Sequence, residues 1–360
     1  MLAPSPAHIG PEQYMAACLE QVLTELNRIV PADSARTGGL YELMLDYPLR
    51  SGKGMRPALC MATAQALGAG PLEAVPTASV FELYHNAFLI HDDVEDASLM
   101  RRGGPTLSAT HGESVAINVG DGMLAIAMQP LLENTEHLGL ARALRILRVV
   151  ARMAAITAEG QAIELRWTHG NTFEIDFPLY YRVIFKKTAW YTFIAPVLAA
   201  CVIARRDQLG KPLGRFATLL GLAFQIQDDV LNLAVASQDA RHGYGKERAG
   251  DLWEGKVTLI LLHAMSQATR HELEQVRKIL GKQRPPTGAP TGAPDTKGPD
   301  DIAFLLDLIE RCGAVDYAWA QAQRRAHRAS RILETCDALR PGAHRDFLFD
   351  LVGYVINRDR

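Results

Sequence analysis

Two aspartate clusters, each set in an otherwise apolar stretch, constrain what this chain can fold into more than any other feature. The first cluster reads HDDVED and places Asp92 and Asp96 four positions apart. The second reads QIQDDVLN and places Asp228 and Asn232 at the same spacing. Residues four apart lie on one face of a helix, so each cluster can direct its oxygen atoms into a single space. The chain must therefore form helices that present carboxylates to a polar site within an apolar structure.

The type of ligand in these clusters indicates a metal. Carboxylate oxygens with little histidine or cysteine nearby suit Mg²⁺, which keeps several waters and usually binds substrate phosphates as well. Two carboxylate-bearing helices that face each other across a cavity would bind a diphosphate through magnesium. The sequence therefore predicts a Mg²⁺-dependent diphosphate site.

Composition excludes several other classes of protein. The chain has 360 residues, 48% of them hydrophobic, a formal net charge of -2 and 7% aromatic residues, which argues against a nucleic-acid partner. Its five cysteines are scattered and include no CxxC pair, which is typical of a reduced intracellular protein. No signal peptide is evident, and the longest apolar run, residues 193–204, is too short to cross a bilayer. We therefore expect a cytoplasmic protein without a membrane span.

Apolar residues recur at helical spacing along most of the chain, and no run alternates strictly as a strand would. The chain is therefore predicted to be all-α, as one large helical bundle. Residues 1–39 are an N-terminal extension with a helix over 12–30, and residues 40–360 are a single domain. Within that domain, Pro and Gly dominate residues 281–299, which predicts a flexible surface loop. Further helices are predicted at about 40–50, 56–67, 71–96, 115–134, 141–164, 178–204, 213–233, 257–267, 271–281, 300–311, 315–339 and 345–355.

Cationic residues occur at several positions that suit a phosphate group. Lys53 and Arg56 lie where a glycine-rich loop enters a helix, whose N-terminus adds N–H donors and a positive dipole end. Arg101 and Arg102 follow the first cluster, and paired guanidiniums can bind phosphate oxygens bidentately. Taken alone, each pair could equally be a solvated basic surface.

Three other segments allow two interpretations each. His85 lies two helical turns before the first cluster and could donate to a phosphate, although a lone helical histidine is usually a packing residue. Lys186 and Lys187 interrupt an apolar helical stretch, so one could face a polar cavity or both could reach solvent. Residues 250–256 nearly match the phosphate-binding P-loop, but Val257 stands where that motif needs a hydroxyl and no strand precedes it, which excludes a P-loop.

Together these segments resemble the trans-isoprenyl diphosphate synthases, most closely the geranylgeranyl and farnesyl diphosphate synthases, over roughly residues 40–360. The resemblance rests on GKGMRP, the DDxxD-type first cluster, RRG, GQ, KT, FQIQDD, Lys246 and DLWEGK, in that order. It implies an isoprenoid synthase fold around a deep central cavity and a homodimer. It also implies head-to-tail condensation of isopentenyl diphosphate with an allylic diphosphate after Mg²⁺-assisted ionisation. The sequence departs from the family at Asn232, where many members have Asp.

The resemblance also implies roles for individual residues. Three Mg²⁺ ions are expected with diphosphate bound, held by Asp92, Asp96 and Asp228 with Asp93 and Asp229 in support. The residues expected to hold the allylic diphosphate are Arg101, Lys187, Gln225, Lys246 and Lys256, and Thr188 is expected beside the developing cation. The residues expected to hold isopentenyl diphosphate are Lys53, Arg56, His85 and Arg102.

The helix that precedes the first cluster predicts the length of the product. One isoprene unit is about as long as one helical turn, roughly 5 Å, so residues one turn before Asp92 should stop the growing tail. In the farnesyl enzymes that this region resembles, two aromatic residues form a floor there. Here Phe88 supplies half of the floor, Ala87 leaves the other half open, and Tyr84 lies one turn deeper. The expected product is C20 geranylgeranyl diphosphate, with C15 farnesyl diphosphate next, unless Phe88 only packs against a neighbouring helix.

Two other functions remain open at this point. A class I terpene cyclase on the same fold needs the metal clusters but not a second diphosphate site. A non-catalytic regulatory subunit of a heteromeric synthase typically lacks the aspartates, whereas this chain keeps both clusters. Because Lys53, Arg56, His85 and Arg102 are all present, the sequence favours chain elongation.

Overall fold

The computed structural model describes residues 9–32, 37–50, 52–170, 175–234, 249–284 and 295–357. The α-helices in chain order are α1 (Pro11–Ile29), α2 (Leu40–Leu49), α3 (Met55–Ala66), α4 (Val75–Glu95), α5 (Leu107–His111), α6 (Glu113–Ile126), α7 (Met128–His137), α8 (Leu140–Gly170), α9 (Phe177–Ile184), α10 (Ala195–Ile203), α11 (Gly210–Ala234), α12 (Gly250–Glu254), α13 (Leu259–Gln267), α14 (Arg270–Leu280), α15 (Pro299–Arg311), α16 (Ala314–Glu334) and α17 (Ala343–Asn357). A π-helical segment (Phe185–Ile194) joins α9 to α10, a single 3₁₀ turn (Asp207–Leu209) precedes α11, and the strands β1 (Met100–Arg101) and β2 (Gly104–Pro105) form one antiparallel hairpin. The predicted all-α class is confirmed.

Most predicted helices lie within a few residues of the observed ones, and the differences have local causes. The predicted helix over 115–134 is two helices that meet at Ala127, because Pro130 has no N–H to donate to the carbonyl of Ile126. The predicted helix over 178–204 contains the π-helical segment, which ends just before Pro196. The β1–β2 hairpin was not predicted because each of its strands has only two residues, too few to show alternation.

Two predictions concern residues outside the described part of the chain. Lys246 lies outside it, as do residues 285–294 of the predicted loop over 281–299. The described ends of that loop are joined by backbone hydrogen bonds: the amide of Gln283 donates to Asp295 (2.9 Å) and the amide of Lys297 donates to Gln283 (2.9 Å).

The chain divides into two compact units. Unit 1 comprises residues 1–154, 191–217 and 330–354, and unit 2 comprises residues 155–190, 218–329 and 355–360. Unit 1 contains α1 to α7, α10 and the β1–β2 hairpin, whereas unit 2 contains α9 and α12 to α15. That residues 40–360 act as a single domain stays a prediction.

The core of unit 1 is built around α4. This helix packs against α1, α3, α6 and α7. Its first ten residues are buried almost without a gap, and α3 is buried along nearly its whole length, so both are core helices. Asp92 and its neighbours occupy the last turn of α4. The sequence thus places the first aspartate cluster at the end of a rigid, buried helix.

One stretch of unit 1, residues 113–137, passes a test of length and mean hydropathy (1.4) for a membrane-crossing helix. It spans α6 and α7, which are separate helices, and 39% of the 18-residue apolar window within it is buried. Core helices of soluble proteins pass the same test, so this is weak evidence for a membrane span.

In unit 2, Gly160 allows α8 to approach the π-helical segment closely. A Cβ atom on Gly160 would lie 2.4 Å from the backbone nitrogen of Lys187 and 2.8 Å from its Cα. Both neighbours are backbone atoms, so no flexible side chain can move aside. The GQ motif that includes Gly160 therefore fixes the distance between α8 and the backbone that carries Lys187 and Thr188.

We expect Gly160→Ala to destabilise the protein although alanine is the better helix former. The added methyl must displace backbone, which costs about 1–3 kcal/mol. Gly353→Ala is the matched control, because Gly353 is also helical and a Cβ atom there would meet nothing within 4 Å. That control should be neutral or slightly stabilising, by up to about 1 kcal/mol. Thermal unfolding followed by circular dichroism measures both, and equal melting temperatures would contradict the close approach.

Candidate active site

The first aspartate cluster divides into an outward and an inward part in unit 1. Asp92 is half-buried and Asp96, which caps the C-terminus of α4, is exposed; the amide of Asp96 donates to the carbonyl of Asp92 (2.9 Å). Asp93 instead points into the unit and is only 1% exposed. The spacing of four therefore leaves Asp92 and Asp96 on the outer face of the helix end, with Asp93 beneath them.

The carboxylate of Asp93 is fully supplied with donors from the protein. The hydroxyl of Tyr47 donates to Oδ2 (2.7 Å), and Nε of Arg101 donates to Oδ1 (2.8 Å), with a second bond from the same guanidinium. A buried carboxylate is costly unless it is paired and hydrogen-bonded, and here both conditions hold. Burial and the bond to Asp93 raise the pKa of the Tyr47 hydroxyl, so it remains a donor.

Arg102 occupies the turn of the β1–β2 hairpin and points back to α2 and α4. Its backbone has a φ of 50°, and Gly103 follows with a φ of 75°, as a two-residue turn between antiparallel strands requires. The guanidinium donates to the carbonyl of Tyr47 (2.7 Å) and to Oδ1 of Asn86 (3.2 Å), and it lies 3.2 Å from Nε2 of His85. The hairpin thus places Arg102 beside the helix face that carries His85.

His85 is held as a neutral imidazole. Burial lowers its pKa well below the ordinary value, and the nearby guanidiniums of Arg56, Arg102 and Arg101 lower it further. Since Arg102 can only donate, Nε2 of His85 must accept and the proton must lie on Nδ1. Nδ1 is buried and has no hydrogen-bond partner among the described residues.

Arg56 is buried at the start of α3 and contacts Tyr191. Its guanidinium donates to the hydroxyl of Tyr191 (2.8 Å) and to Oγ1 of Thr192 (3.0 Å), and it lies 4.4 Å from the centre of the Tyr191 ring. Lys53 is exposed, and its ammonium lies 5.6 Å from the ring of Tyr354. The structure therefore groups Arg56, Arg102 and His85, whereas Lys53 lies against a different side chain.

The residues predicted to set chain length are aromatic neighbours in unit 1. Tyr84 and Phe88 meet edge to face with ring centres 5.8 Å apart, and Phe88 meets Tyr191 in the same way at 5.6 Å. Ala87 is fully buried, while Phe88 is half-buried. Tyr191 thus links the chain-length residues to Arg56, a connection that sequence reasoning missed because Tyr191 lies about a hundred residues further along the chain.

The second cluster, in unit 2, repeats the division of the first. Asp228 is half-buried, whereas Asp229 is 5% exposed. The hydroxyl of Tyr180 donates to Oδ2 of Asp229 (2.7 Å), and the amide of Gln225 donates to Oδ1 (2.9 Å). Burial raises the pKa of Asp229 well above its ordinary value, and the charges of Asp251 and Asp228 add to that.

Thr188 and Gln225 form a chain of hydrogen bonds with Asp229. The hydroxyl of Thr188 donates to Oε1 of Gln225 (2.7 Å), whose amide nitrogen in turn donates to the carboxylate. Thr188 lies in the π-helical segment, and such segments occur frequently at functional sites. The bonds fix both the orientation of the Gln225 amide and the direction of the Thr188 hydroxyl.

Asn232, the departure from the family pattern, has a structural contact. It is buried, and its Oδ1 accepts a hydrogen bond from the amide of Asp251 (3.2 Å). The backbone carbonyl of Asn232 accepts from the amide of Ala249 (3.1 Å). This amide side chain therefore holds the start of α12, which an aspartate could also do with a charged oxygen.

Two predicted phosphate-binding lysines of unit 2 are paired with glutamates. Lys187 contacts Glu164, and Lys256 contacts Glu254 (2.5 Å). Sequence reasoning did not single out these glutamates. The only signal for Glu164 is that it lies four positions after Gly160 on α8, the glycine that lets the Lys187 backbone approach.

The donor chemistry of the clusters fits Mg²⁺, but protein side chains alone do not complete a metal site. Among the described residues, no three His, Cys, Asp or Glu side chains converge on one point as a metal-binding group. Because Mg²⁺ is usually bound through one or two carboxylates plus substrate phosphates and waters, pairs of aspartates match that requirement.

Comparison with known proteins agrees with these motifs. The family model described as polyprenyl synthetase matches residues 39–289. A geranylgeranyl pyrophosphate synthase of Geoglobus acetivorans is 30% identical over 324 residues, which cover 89% of this chain and 91% of that protein. An all-trans-nonaprenyl-diphosphate synthase of Rhodobacter capsulatus is 30% identical over 308 residues, which cover 85% of each chain.

Solved structures give the same result. A geranylgeranyl pyrophosphate synthetase of Pyrococcus horikoshii Ot3 matches with a TM-score of 0.81 at 27% identity, over 97% of this chain and 99% of that one. A polyprenyl synthase of Caulobacter crescentus CB15, complexed with calcium and isoprenyl diphosphate, matches with a TM-score of 0.79 at 26% identity, over 98% and 99% of the two chains. The names of these relatives cover several product lengths, whereas the isoprenoid synthase fold is common to them. The chain therefore belongs to the polyprenyl synthetase family of prenyltransferases.

Proposed function

We propose that this protein condenses isopentenyl diphosphate with an allylic diphosphate to give a short-chain all-trans prenyl diphosphate, with C20 geranylgeranyl diphosphate as the first candidate product and C15 farnesyl diphosphate as the second. One observation carries the proposal. In each cluster the second aspartate of the Asp-Asp pair, Asp93 or Asp229, is buried and accepts hydrogen bonds from protein donors. Asp92, Asp96 and Asp228 are instead partly or fully exposed. Carboxylates that are at least partly exposed can bind a metal ion and, through the metal, a diphosphate.

Asp92, Asp96 and Asp228 are the residues that would hold Mg²⁺, three ions being expected with diphosphate bound. When bound, the metal neutralises the negative charge that builds up on the departing pyrophosphate. Asp93 and Asp229 would support them by fixing the helix ends, as their bonds to Tyr47 and Tyr180 suggest.

The cations of unit 2, with Arg101, would bind the allylic diphosphate. Lys187 and Lys256 each lie beside a glutamate, which keeps the ammonium oriented until a diphosphate competes for it. Gln225 would add an amide donor, and Thr188 would place its hydroxyl oxygen beside the allylic cation. Lys246 is also proposed to bind the allylic diphosphate, on the basis of the sequence resemblance alone.

Arg56, His85 and Arg102, with Lys53, would bind isopentenyl diphosphate. Three of the four are neighbours in unit 1, and a neutral His85 can donate from Nδ1 to a phosphate oxygen without adding charge. Dense positive charge at this place is what a second diphosphate requires, and a terpene cyclase does not need it.

The reaction would proceed by ionisation of the allylic C1–O bond, whose electron pair leaves with pyrophosphate. The C3=C4 double bond of isopentenyl diphosphate then attacks C1, and the new cation loses a proton from C2 to the released pyrophosphate. Apolar side chains around the tail keep water from quenching the cation.

We also propose a homodimer. Several large apolar side chains of unit 1 are exposed to solvent, including Leu132 (61% exposed) and Leu140 (64% exposed). The others on α6, α7 and the start of α8 are Val115, Ile117, Met128 and Leu144. Exposed apolar side chains on consecutive helices favour an interaction surface, and a second copy of the chain would cover them. A cytoplasmic location stays a prediction.

The function is tested by assaying the protein with Mg²⁺, isopentenyl diphosphate and each allylic partner from C5 to C15. Asp92→Ala should lower kcat by at least about 10²–10³-fold, because it removes a carboxylate that would hold the Mg²⁺ needed to neutralise the departing pyrophosphate. Asp207→Ala is the control, since Asp207 is an exposed aspartate of unit 1 in an ordinary ion pair with Arg145. Near-normal turnover of Asp92→Ala would refute the site, and a hydrocarbon product formed without isopentenyl diphosphate would indicate a cyclase.

Product length is tested at Phe88, whose ring contacts both Tyr84 and Tyr191. Phe88→Ala removes the centre of that aromatic group and should lengthen the product beyond C20. Ala87→Phe should shorten the product to C15. Because Ala87 is fully buried, the larger side chain can destabilise the fold, so the melting temperature of this variant must also be measured. Chromatography of the dephosphorylated products gives the lengths. If both folded variants keep the wild-type product, the floor lies elsewhere.

The neutral state of His85 predicts a pH dependence of stability. The pKa of His85 is lowered in the folded protein. Below pH 6.5, His85 therefore binds a proton in the unfolded chain but stays neutral in the folded protein. The free energy of unfolding therefore decreases as the pH falls. His85→Gln removes this contribution. The loss of unfolding free energy between pH 8 and 5.5 should be smaller in the variant, by at most about 1.4 kcal/mol per pH unit below 6.5. Parallel curves for the two proteins would contradict a lowered pKa.

A further inference from the structure

Arg50 lies just beyond α2 and connects three parts of unit 1. Its guanidinium is held by Asp46, with Nε 3.2 Å from Oδ1 and a terminal nitrogen 2.6 Å from Oδ2. The other terminal nitrogen donates to the backbone carbonyls of Arg101 (3.2 Å) and Pro105 (2.7 Å). Arg50 therefore binds both strands of the β1–β2 hairpin, one carbonyl on each side of the turn.

The hairpin is shaped to receive this guanidinium. A Cβ atom on Gly104 would lie 3.1 Å from the Arg50 nitrogen, so the glycine leaves space for the guanidinium against the backbone. At the open end of the hairpin, the amide of Thr106 donates to the carbonyl of Leu99 (3.0 Å). The open end of the hairpin is therefore held by this hydrogen bond, and the end that contains Arg101 and the turn residue Arg102 is held by Arg50.

Arg102 depends on the hairpin more than Arg101 does. Its backbone adopts the left-handed conformation, which a residue with a side chain takes only when its surroundings impose it. Its partners are neutral: a carbonyl, an amide oxygen and an imidazole. Arg101 instead has charge-assisted bonds to Asp93, which are about twice as strong as neutral ones.

We propose that Arg50 is a positioning residue that preorganises Arg102 for isopentenyl diphosphate. This rests on the proposed function, in which Arg102 binds that substrate. The planar guanidinium reaches one carboxylate and two carbonyls at once. A lysine ammonium keeps the charge but is a single point on a flexible stem and cannot fix the same three groups.

Steady-state kinetics of Arg50→Lys test the proposal. The KM for isopentenyl diphosphate should rise about tenfold, which corresponds to about 1.4 kcal/mol, while kcat changes less than about threefold. Arg142→Lys is the matched control, because Arg142 also donates to two backbone carbonyls of unit 1, those of Leu138 (2.7 Å) and Ile203 (3.0 Å). It should leave both constants unchanged. An unchanged KM in Arg50→Lys, with the same loss of melting temperature as the control, would overturn the proposal.

Two further measurements separate positioning from general stability. Arg50→Lys should add nothing to the KM of Arg102→Ala if Arg50 acts through Arg102, and additive effects would refute that route. Amide hydrogen exchange over residues 99–107 should be several-fold faster in Arg50→Lys and unchanged in Arg142→Lys. The exchange experiment needs no activity, so it tests the hairpin even if the wild-type protein fails to elongate any allylic diphosphate, a result that would refute the proposed function alone.

Discussion

Burying a carboxylate next to a carboxylate that must stay accessible is the physical constraint on which the rest of this structure depends. Asp93 and Asp229 are each adjacent in sequence to an aspartate at the surface of a helix, and each is almost fully buried. A tyrosine hydroxyl donates to each of them, from Tyr47 and from Tyr180. Without those donors each carboxyl group would be buried without a partner, which is costly whether the group is charged or neutral.

The donors also determine what surrounds each cluster. In unit 1 the second partner of Asp93 is Arg101, so that burying the carboxylate also fixes the strand that leads to Arg102. In unit 2 the second partner of Asp229 is Gln225, whose other end fixes Thr188. One hydrogen-bonded carboxyl group in each unit thus orients two of the residues proposed to bind substrate: Arg101 and Arg102 in unit 1, and Gln225 and Thr188 in unit 2.

Membership of the polyprenyl synthetase family leaves the product open. Relatives of nearly equal similarity carry names as different as geranylgeranyl and nonaprenyl diphosphate synthase. What distinguishes such enzymes must therefore be local. Phe88 contacts Tyr84 and Tyr191, and Tyr191 contacts Arg56, so Tyr191 connects the predicted tail-stopping residues to a residue proposed to bind isopentenyl diphosphate.

The sequence by itself determined the helical class, most helix positions and the two aspartate clusters, because helical periodicity and i, i+4 spacing are local properties. It could not predict the hairpin at 100–105, whose strands are too short to show a pattern, nor the pairing of Lys187 with Glu164. Only the tertiary structure decided which aspartate of each pair is buried, and that Tyr47, Tyr180, Tyr191 and Arg50 hold the site residues in place. These contacts join residues up to about 135 positions apart, and an apolar helix shows no periodic signal that marks one tyrosine as a hydrogen-bond donor to a distant carboxylate.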